Sequence, residues 1–167
     1  MKNIETMTSR ERVLKAVDHK IPDRIPIDLG GFQTGIHRGA YEKLIEYLGI
    51  DDTITILDPV QQLVVPCEEV LQRFHVDIRY VCAHGPDSFK GAIKQNVRGD
   101  RLWHDLRDEF GVVWSMADDG GMYMDVSHSP LAHATIDDIK DYPFPDGSDP
   151  TRFTGVREQA LKIRENT

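Results

Sequence analysis

Residues 7–31 read MTSRERVLKAVDHKIPDRIPIDLGG, a helix, a corner, a short strand and a glycine turn in sequence. Thr8 and Glu11 stand at the T-x-x-E spacing of a capping box, in which each side chain satisfies an orphan amide of the helix start. Val13, Leu14 and Val17 follow at helical spacing and predict one apolar face. His19 and Lys20 suit the negative end of the helix dipole, and Pro22 cannot continue the helix. Arg24–Leu29 then alternates Ile25, Ile27 and Leu29 with Arg24, Pro26 and Asp28, the two-residue period of a strand. Proline donates no ladder hydrogen bond, so Pro26 belongs at a sheet edge. Gly30-Gly31 ends the unit.

The same alternation of elements continues downstream. Tyr41, Leu44, Ile45 and Leu48 predict a helix over His37–Leu48, with Gly49 as its terminating residue. Asp58-Pro59 is an N-cap followed by proline and predicts the start of a third helix, interrupted or restarted at Pro66. Val76–Cys82 alternates again and predicts a second strand. Strands separated by helices argue for parallel βα units.

From Gly85 the pattern changes, and residues 89–133 are rich in short β-like runs and turns. Gly111–Met116 and Met122–Val126 flank Asp118-Asp119-Gly120-Gly121 and predict a β-hairpin. Thr135 caps a short helical turn, 143–150 (PFPDGSDP) reads as a linker, and Asp149-Pro150 predicts a last helix. The expected organisation is one domain over 1–167, with an excursion at 85–134 and the linker at 143–150.

Composition sets the outer limits. Of the 167 residues, 40% are apolar and 29% charged, and the formal net charge is −8. That balance argues against a general nucleic-acid binder. Cys67 and Cys82, with fourteen residues between them, match neither a zinc-ribbon spacing nor a disulfide framework. The opening MKNIETMTSRER has no apolar signal region, and no run reaches the ~18 apolar residues of a membrane span. A cytoplasmic protein, without membrane or nucleic acid as partner, is the expectation. Neither a P-loop nor a G-x-G-x-x-G pattern is present.

Four segments carry a resemblance: SRERVLKAVDHKIPDRIPIDLGG at 9–31, EEVLQRFHVDIR at 68–79, DEFGVVW at 108–114 and HSPLAHATIDDIKDYPFPD at 128–146. In this order they resemble the uroporphyrinogen decarboxylase superfamily, which includes cobamide-dependent methyltransferases. The resemblance implies an α/β fold, a (β/α)8 TIM-type barrel carrying an inserted β-hairpin region, with its active site at the C-terminal ends of the strands. Such a barrel needs ~250 residues, so the chain is expected to be its N-terminal part.

Within that superfamily the first loop separates the branches. True decarboxylases resemble one another in an R-Q-A-G-R segment whose arginines hold substrate carboxylates. Here the loop reads GGFQTGIH, and no arginine appears before Arg38. A polycarboxylate substrate calls for several guanidinium forks. The loop instead looks like that of decarboxylase-like methyltransferases, which pass a methyl group between a donor and a corrinoid or thiol acceptor. That reading implies a corrinoid on a partner protein and, in some members, a zinc ion whose His and Cys ligands lie late in the family's chain. No metal site is expected within this chain, since His104, His128 and His133 match no metal spacing.

The candidate catalytic residues are Asp28, which ends strand one at the glycine turn, and His84, which follows strand two and takes the place of the family's catalytic aspartate. Gln33, Thr34 and His37 are candidate substrate contacts from the first loop, and Arg79 is a further one if it faces inward. Two alternatives accompany methyl transfer. One is porphyrinogen decarboxylation, and the other is an inactive half-barrel that self-associates or needs a partner chain.

Overall fold

The computed structural model describes residues 5–89 and 91–166. The chain divides into two compact units, one formed by 1–81 with 160–167 and the other by 82–159.

In the first unit the Thr8–Glu11 capping box forms as expected and starts α1 (Ser9–Val17). Two backbone bonds close the helix, His19 N–H to Ala16 O at 3.1 Å and Lys20 N–H to Lys15 O at 2.9 Å. This is the Schellman pattern, with His19 in the left-handed position at φ 56°. The face turned inward is not the apolar one. Arg12 is 1% exposed, whereas Leu14 and Val17 are 55% and 72% exposed.

Arg12 is buried because it is saturated. Its guanidinium donates to Asp23 at 2.7 Å, to Asp77 at 2.5 Å and to the Met7 carbonyl at 2.7 Å. Arg24 donates to Asp77 at 2.5 Å and to Glu5 at 2.9 Å. Residues of the opening stretch and of the 68–79 segment therefore meet in one ionic knot.

The apolar core lies beside this knot. His37 caps α2 (Arg38–Leu48), which ends at Gly49 in the left-handed conformation. Tyr41, Val64 and Val70 are fully buried, with Ile36, Leu44, Ile45 and Ile54 packed around them. Tyr41 donates to Asp52 at 2.6 Å and accepts from the Cys67 amide at 2.9 Å, so its phenol is paired inside the core. A short antiparallel sheet covers the cluster: β1 (Ile36–His37), β2 (Ile56–Asp58) and β3 (Leu63–Val64), in the order β1-β3-β2.

Asp58 starts no helix. Its carboxylate takes the amides of Val60 at 2.8 Å and Gln61 at 3.1 Å and makes the β2–β3 turn. The third helix begins after Pro66, as α3 (Glu68–Arg73).

The second unit is an antiparallel meander: β4 (Ile93–Arg98), β5 (Arg101–Arg107), β6 (Val113–Ala117) and β7 (Asp125–His128), in sequence order. A two-residue turn at Gly99-Asp100 sets the first register, pairing Arg98 with Arg101 and Val97 with Leu102. Gly99 sits at φ 67°, which a glycine adopts without a Cβ penalty. Asp108 builds the next turn by accepting from the amides of Phe110 and Val112, each at 2.9 Å, and from the Trp114 indole at 2.8 Å. The expected hairpin around 118–121 is present, with its second strand at Asp125–His128 instead of Met122–Val126 and a register shift between Val113 and Trp114. Polar side chains cross one sheet face: Arg98 to Asp105 at 2.6 Å, and Ser115 to both Asp105 and Ser127 at 2.7 Å.

Thr135 and Asp138 form a second capping box at α4 (Ile136–Lys140). Asp149-Pro150 opens one 3-10 turn, Pro150–Phe153, and the last helix, α5, is Val156–Asn166.

The expected α/β barrel architecture is thus corrected. The described strands form two antiparallel sheets, of three and four strands, with no alternating β/α barrel pattern. The expected strands Arg24–Leu29 and Val76–Cys82 run beside one another without a ladder. The Asp77 amide donates to the Ile27 carbonyl at 2.8 Å, but the Ile27 amide goes to the Asp77 side chain at 2.9 Å. Pro26 has no donor, and the next amide is taken by a carboxylate, so the pairing stops after one backbone bond.

Candidate functional site

The glycine turn after Asp28 folds back on Tyr80. The Gly30 amide donates to the Thr34 carbonyl at 3.0 Å, and the Gly31 amide to the Thr34 hydroxyl at 3.3 Å. A Cβ at Gly31 would stand 2.2 Å from the Tyr80 ring, so only glycine lets the loop lie against it. The Tyr80 phenol donates to Asp28 Oδ2 and lies 3.2 Å from the Thr34 hydroxyl.

Asp28, Tyr80 and Thr34 form one hydrogen-bonded constellation. Asp28 Oδ1 is buried and accepts no hydrogen bond among the described residues. A buried carboxylate oxygen without a donor carries a desolvation cost of ~1–3 kcal/mol. The Tyr80 phenol is the donor that positions Asp28, through Oδ2. Tyr80 as a whole is 38% exposed, with its hydroxyl turned to Asp28 and Thr34.

The other expected site residues separate by role. Gln33 is exposed at the loop tip. His37 caps α2 by accepting the Gly39 amide on Nδ1 at 3.1 Å, which requires that nitrogen to be unprotonated. Arg79 donates to Glu68 at 2.7 and 2.8 Å and to the carbonyls of Val76 and Ile78 at 2.8 and 3.0 Å. That pairing holds the Glu68 carboxyl below its usual range and occupies the guanidinium.

His84 belongs to the second unit. Its Nδ1 lies 2.9 Å from the Gly85 carbonyl and its Nε2 3.2 Å from the Thr154 carbonyl. Two carbonyl acceptors satisfy both nitrogens only when both carry protons, and these carbonyls, Gly85 first, raise the His84 pKa.

Tyr80 is the member of this constellation that the sequence reading does not mark. It stood in the apolar alternation of the expected second strand, and nothing in that pattern marks its hydroxyl as a partner for Asp28. Among the described residues, no group of three or more His, Cys, Asp or Glu side chains is placed to hold a metal ion. A zinc ion implied by the resemblance thus finds no ligand set there. No described helix is long and apolar enough to cross a membrane.

Compared with protein-family models, curated proteins and solved structures, the chain matches none of them.

Proposed function

We propose that this chain forms part of a uroporphyrinogen decarboxylase-like enzyme of the methyl-transfer type, with Asp28 and Tyr80 as its proton-handling pair. The observation that carries this reading is the Asp28–Tyr80–Thr34 constellation. It is assembled from the 9–31 segment, the loop after it, and the residue immediately following the 68–79 segment. A corrinoid on a partner protein would supply the methyl-carrying centre when bound, and this chain's own residues handle protons.

A thiol acceptor must lose its proton as its sulfur takes the methyl group. In this reading the thiol meets Tyr80, whose own proton already points at Asp28. The sulfur would take the methyl group as its bond to the donor breaks, the electron pair of that bond staying with the donor, while the thiol proton passes to the Tyr80 oxygen and the tyrosine proton to Asp28, so the relay ends with a neutral carboxyl. Such a positioned acid–base pair contributes roughly 10²–10⁴-fold in rate.

The arginines argue against a polycarboxylate substrate. Arg38 is engaged by Glu42 at 2.7 Å and Arg79 by Glu68, so both guanidiniums are already paired.

The test compares two ligands and one reaction. Hydroxocobalamin and uroporphyrin are titrated by visible absorbance, and methyl transfer from methylcobalamin to 2-mercaptoethanol is followed spectrally. The expected result is cobalamin binding in preference to uroporphyrin, with turnover reduced at least tenfold in both Asp28→Asn and Tyr80→Phe. The phenylalanine keeps the ring that packs on Gly31. Tighter uroporphyrin binding would replace this reading with decarboxylation. Turnover unchanged in both variants would remove the pair from the chemistry.

A further inference from the structure

We infer that Thr34 is a positioning residue that acts through Tyr80: its hydroxyl donates to the Tyr80 oxygen and commits the tyrosine's own proton to Asp28. The inference rests on the proton-handling reading of Asp28 and Tyr80. The Tyr80 phenol has one proton, and that proton goes to Asp28 Oδ2. The Thr34 hydroxyl lies 3.2 Å from the same phenol oxygen, so the proton of that second bond comes from Thr34. The Gly31 amide donates to the Thr34 hydroxyl oxygen at 3.3 Å, which fills an acceptor site and leaves the hydroxyl proton for Tyr80.

The loop holds that hydroxyl in place. The Thr34 carbonyl accepts the Gly30 amide at 3.0 Å, so two successive amides grip one residue by its backbone and its side chain. Gly30 sits at φ 105°, a conformation open to glycine. A Cβ at Gly31 would stand 2.2 Å from the Tyr80 ring, and one at Gly35 would stand 2.8 Å from the Gly31 carbonyl oxygen. Glycine at all three positions brings Thr34 within reach of the phenol. A phenol turned the other way, with its proton on Thr34, could not pass that proton to Asp28. A donor fixed in advance also costs no reorganisation when charge develops on the oxygen it faces. The Tyr80 oxygen gains charge as its proton leaves for Asp28, and the thiol proton neutralises it. Thr34 is the donor that steadies the oxygen between the two transfers.

Two readouts on the full chain test this, one of them independent of activity. Thr34→Val puts a methyl group where the hydroxyl stands, and Thr34→Ser keeps the hydroxyl. Tyrosine labelled with ¹³C at Cζ is titrated by NMR, the Tyr80 signal being the one lost in Tyr80→Phe. The Tyr80 midpoint should rise in Thr34→Val, because the phenolate loses a donor, and return to the wild-type value in Thr34→Ser. A loop that merely came loose would let water donate instead, and the midpoint would not rise. In methyl transfer from methylcobalamin to 2-mercaptoethanol, Thr34→Val should lower kcat at least ~10-fold at unchanged thiol KM, and Thr34→Ser should restore it. Added to Tyr80→Phe, Thr34→Val should cost nothing more, because it acts through the phenol. Circular dichroism checks each fold, and Thr34→Ala takes the place of Thr34→Val if the valine variant fails to fold. A Tyr80 midpoint that stays or falls in the variant without the hydroxyl overturns the proposal. So does a raised thiol KM at unchanged kcat, which would make Thr34 a substrate contact. If the wild type transfers no methyl group, the methyl-transfer reading falls, and the Tyr80 midpoint alone decides whether Thr34 donates to the phenol.

Discussion

Asp77→Asn is the sharpest probe of how the first unit is held together. The Asp77 side chain is fully buried and accepts from Arg12 at 2.5 Å, from Arg24 at 2.5 and 3.1 Å, and from the Ile27 amide at 2.9 Å. Asparagine keeps the volume, but it removes the charge that two guanidiniums face and presents one of them with an amide N–H. Removing one partner of a buried ionic cluster costs ~3–5 kcal/mol, because the remaining charge stays desolvated. Total stability for a domain is about 5–15 kcal/mol, so this loss takes a large share of it. For a chain of this size each kcal/mol moves the melting temperature by roughly 2–4 °C, which places the expected drop near 10 °C. Differential scanning calorimetry of the wild type, Asp77→Asn, Arg12→Met and the double variant measures it. The double variant should cost less than the sum of the singles, since the second change removes the stranded partner. An Asp77→Asn melting temperature within 2 °C of the wild type would refute the reasoning.

Three more expectations follow from the same geometry. Arg12 holds the Asp23 carboxyl well below the usual range; for Asp77 burial pushes upward, but Arg24, the Ile27 amide, Ser9 and Arg12 outweigh it and the net direction is also down. Lowered carboxyls stabilise fully above the unfolded value of ~4 and lose that contribution as pH falls toward their folded values, so an acid titration followed by circular dichroism should leave the fold unchanged at pH ~5 and unfold the first unit below ~4. The raised His84 pKa works in the opposite sense: its contribution is complete below the unfolded value of ~6.5 and is lost as pH rises through the folded value, and imidazole ¹⁵N shifts should show His84 titrating above that reference. Gly31→Ala drives a Cβ to 2.2 Å from the Tyr80 ring, so denaturant unfolding should show a loss of ~1–3 kcal/mol, whereas Gly147→Ala, which meets nothing within 4 Å, should be near neutral.

Local signals in the sequence were read well, and pairing was not. That Asp138 completes a second box is visible only in the structure, but the Thr8–Glu11 capping box and the Thr135 cap appear where the sequence places them, because a cap depends on residues three apart. The same holds for α2 and for the hairpin around 118–121. The strands at 24–29 and 76–82 were misread because alternation reports an extended backbone with two unlike faces, not a partner that completes a ladder. Asp77 took the amide the ladder needed. The α1 face was misread for a related reason: periodicity locates an apolar stripe but does not say that it points inward, and saturated Arg12 took the inner place. The β4–β5 hairpin was passed over because Ile93–Arg107 is mostly polar, although Gly99-Asp100 between two β-like runs is a turn signal. Asp28, read as a strand-end acid, stands in an extended segment that joins no sheet, and its hydrogen-bond partner is Tyr80.

The ionic knot explains why the candidate chemistry sits where it does. Asp77 grips Ile27 on both sides, accepting its amide and donating to its carbonyl, and so fixes the register of the two extended segments at that residue. Asp28 is the next residue on one segment, and Tyr80 lies three residues beyond Asp77 on the other. Arg12 and Arg24 hold Asp77 in place. A side chain that bonds a substrate must be positioned to within about half an ångström by groups that are themselves locked. Here the locking groups are Arg12, Arg24 and Asp77, and the pair they position is a single tyrosine and a single aspartate. Asp77→Asn should accordingly loosen the Asp28–Tyr80 bond as well as the fold. Under the proposed methyl-transfer reading, at a temperature where the variant is still folded its rate should fall toward that of Tyr80→Phe although Asp77 touches neither residue of the pair. A folded Asp77→Asn protein with full activity would show that Asp28 and Tyr80 find each other without the knot.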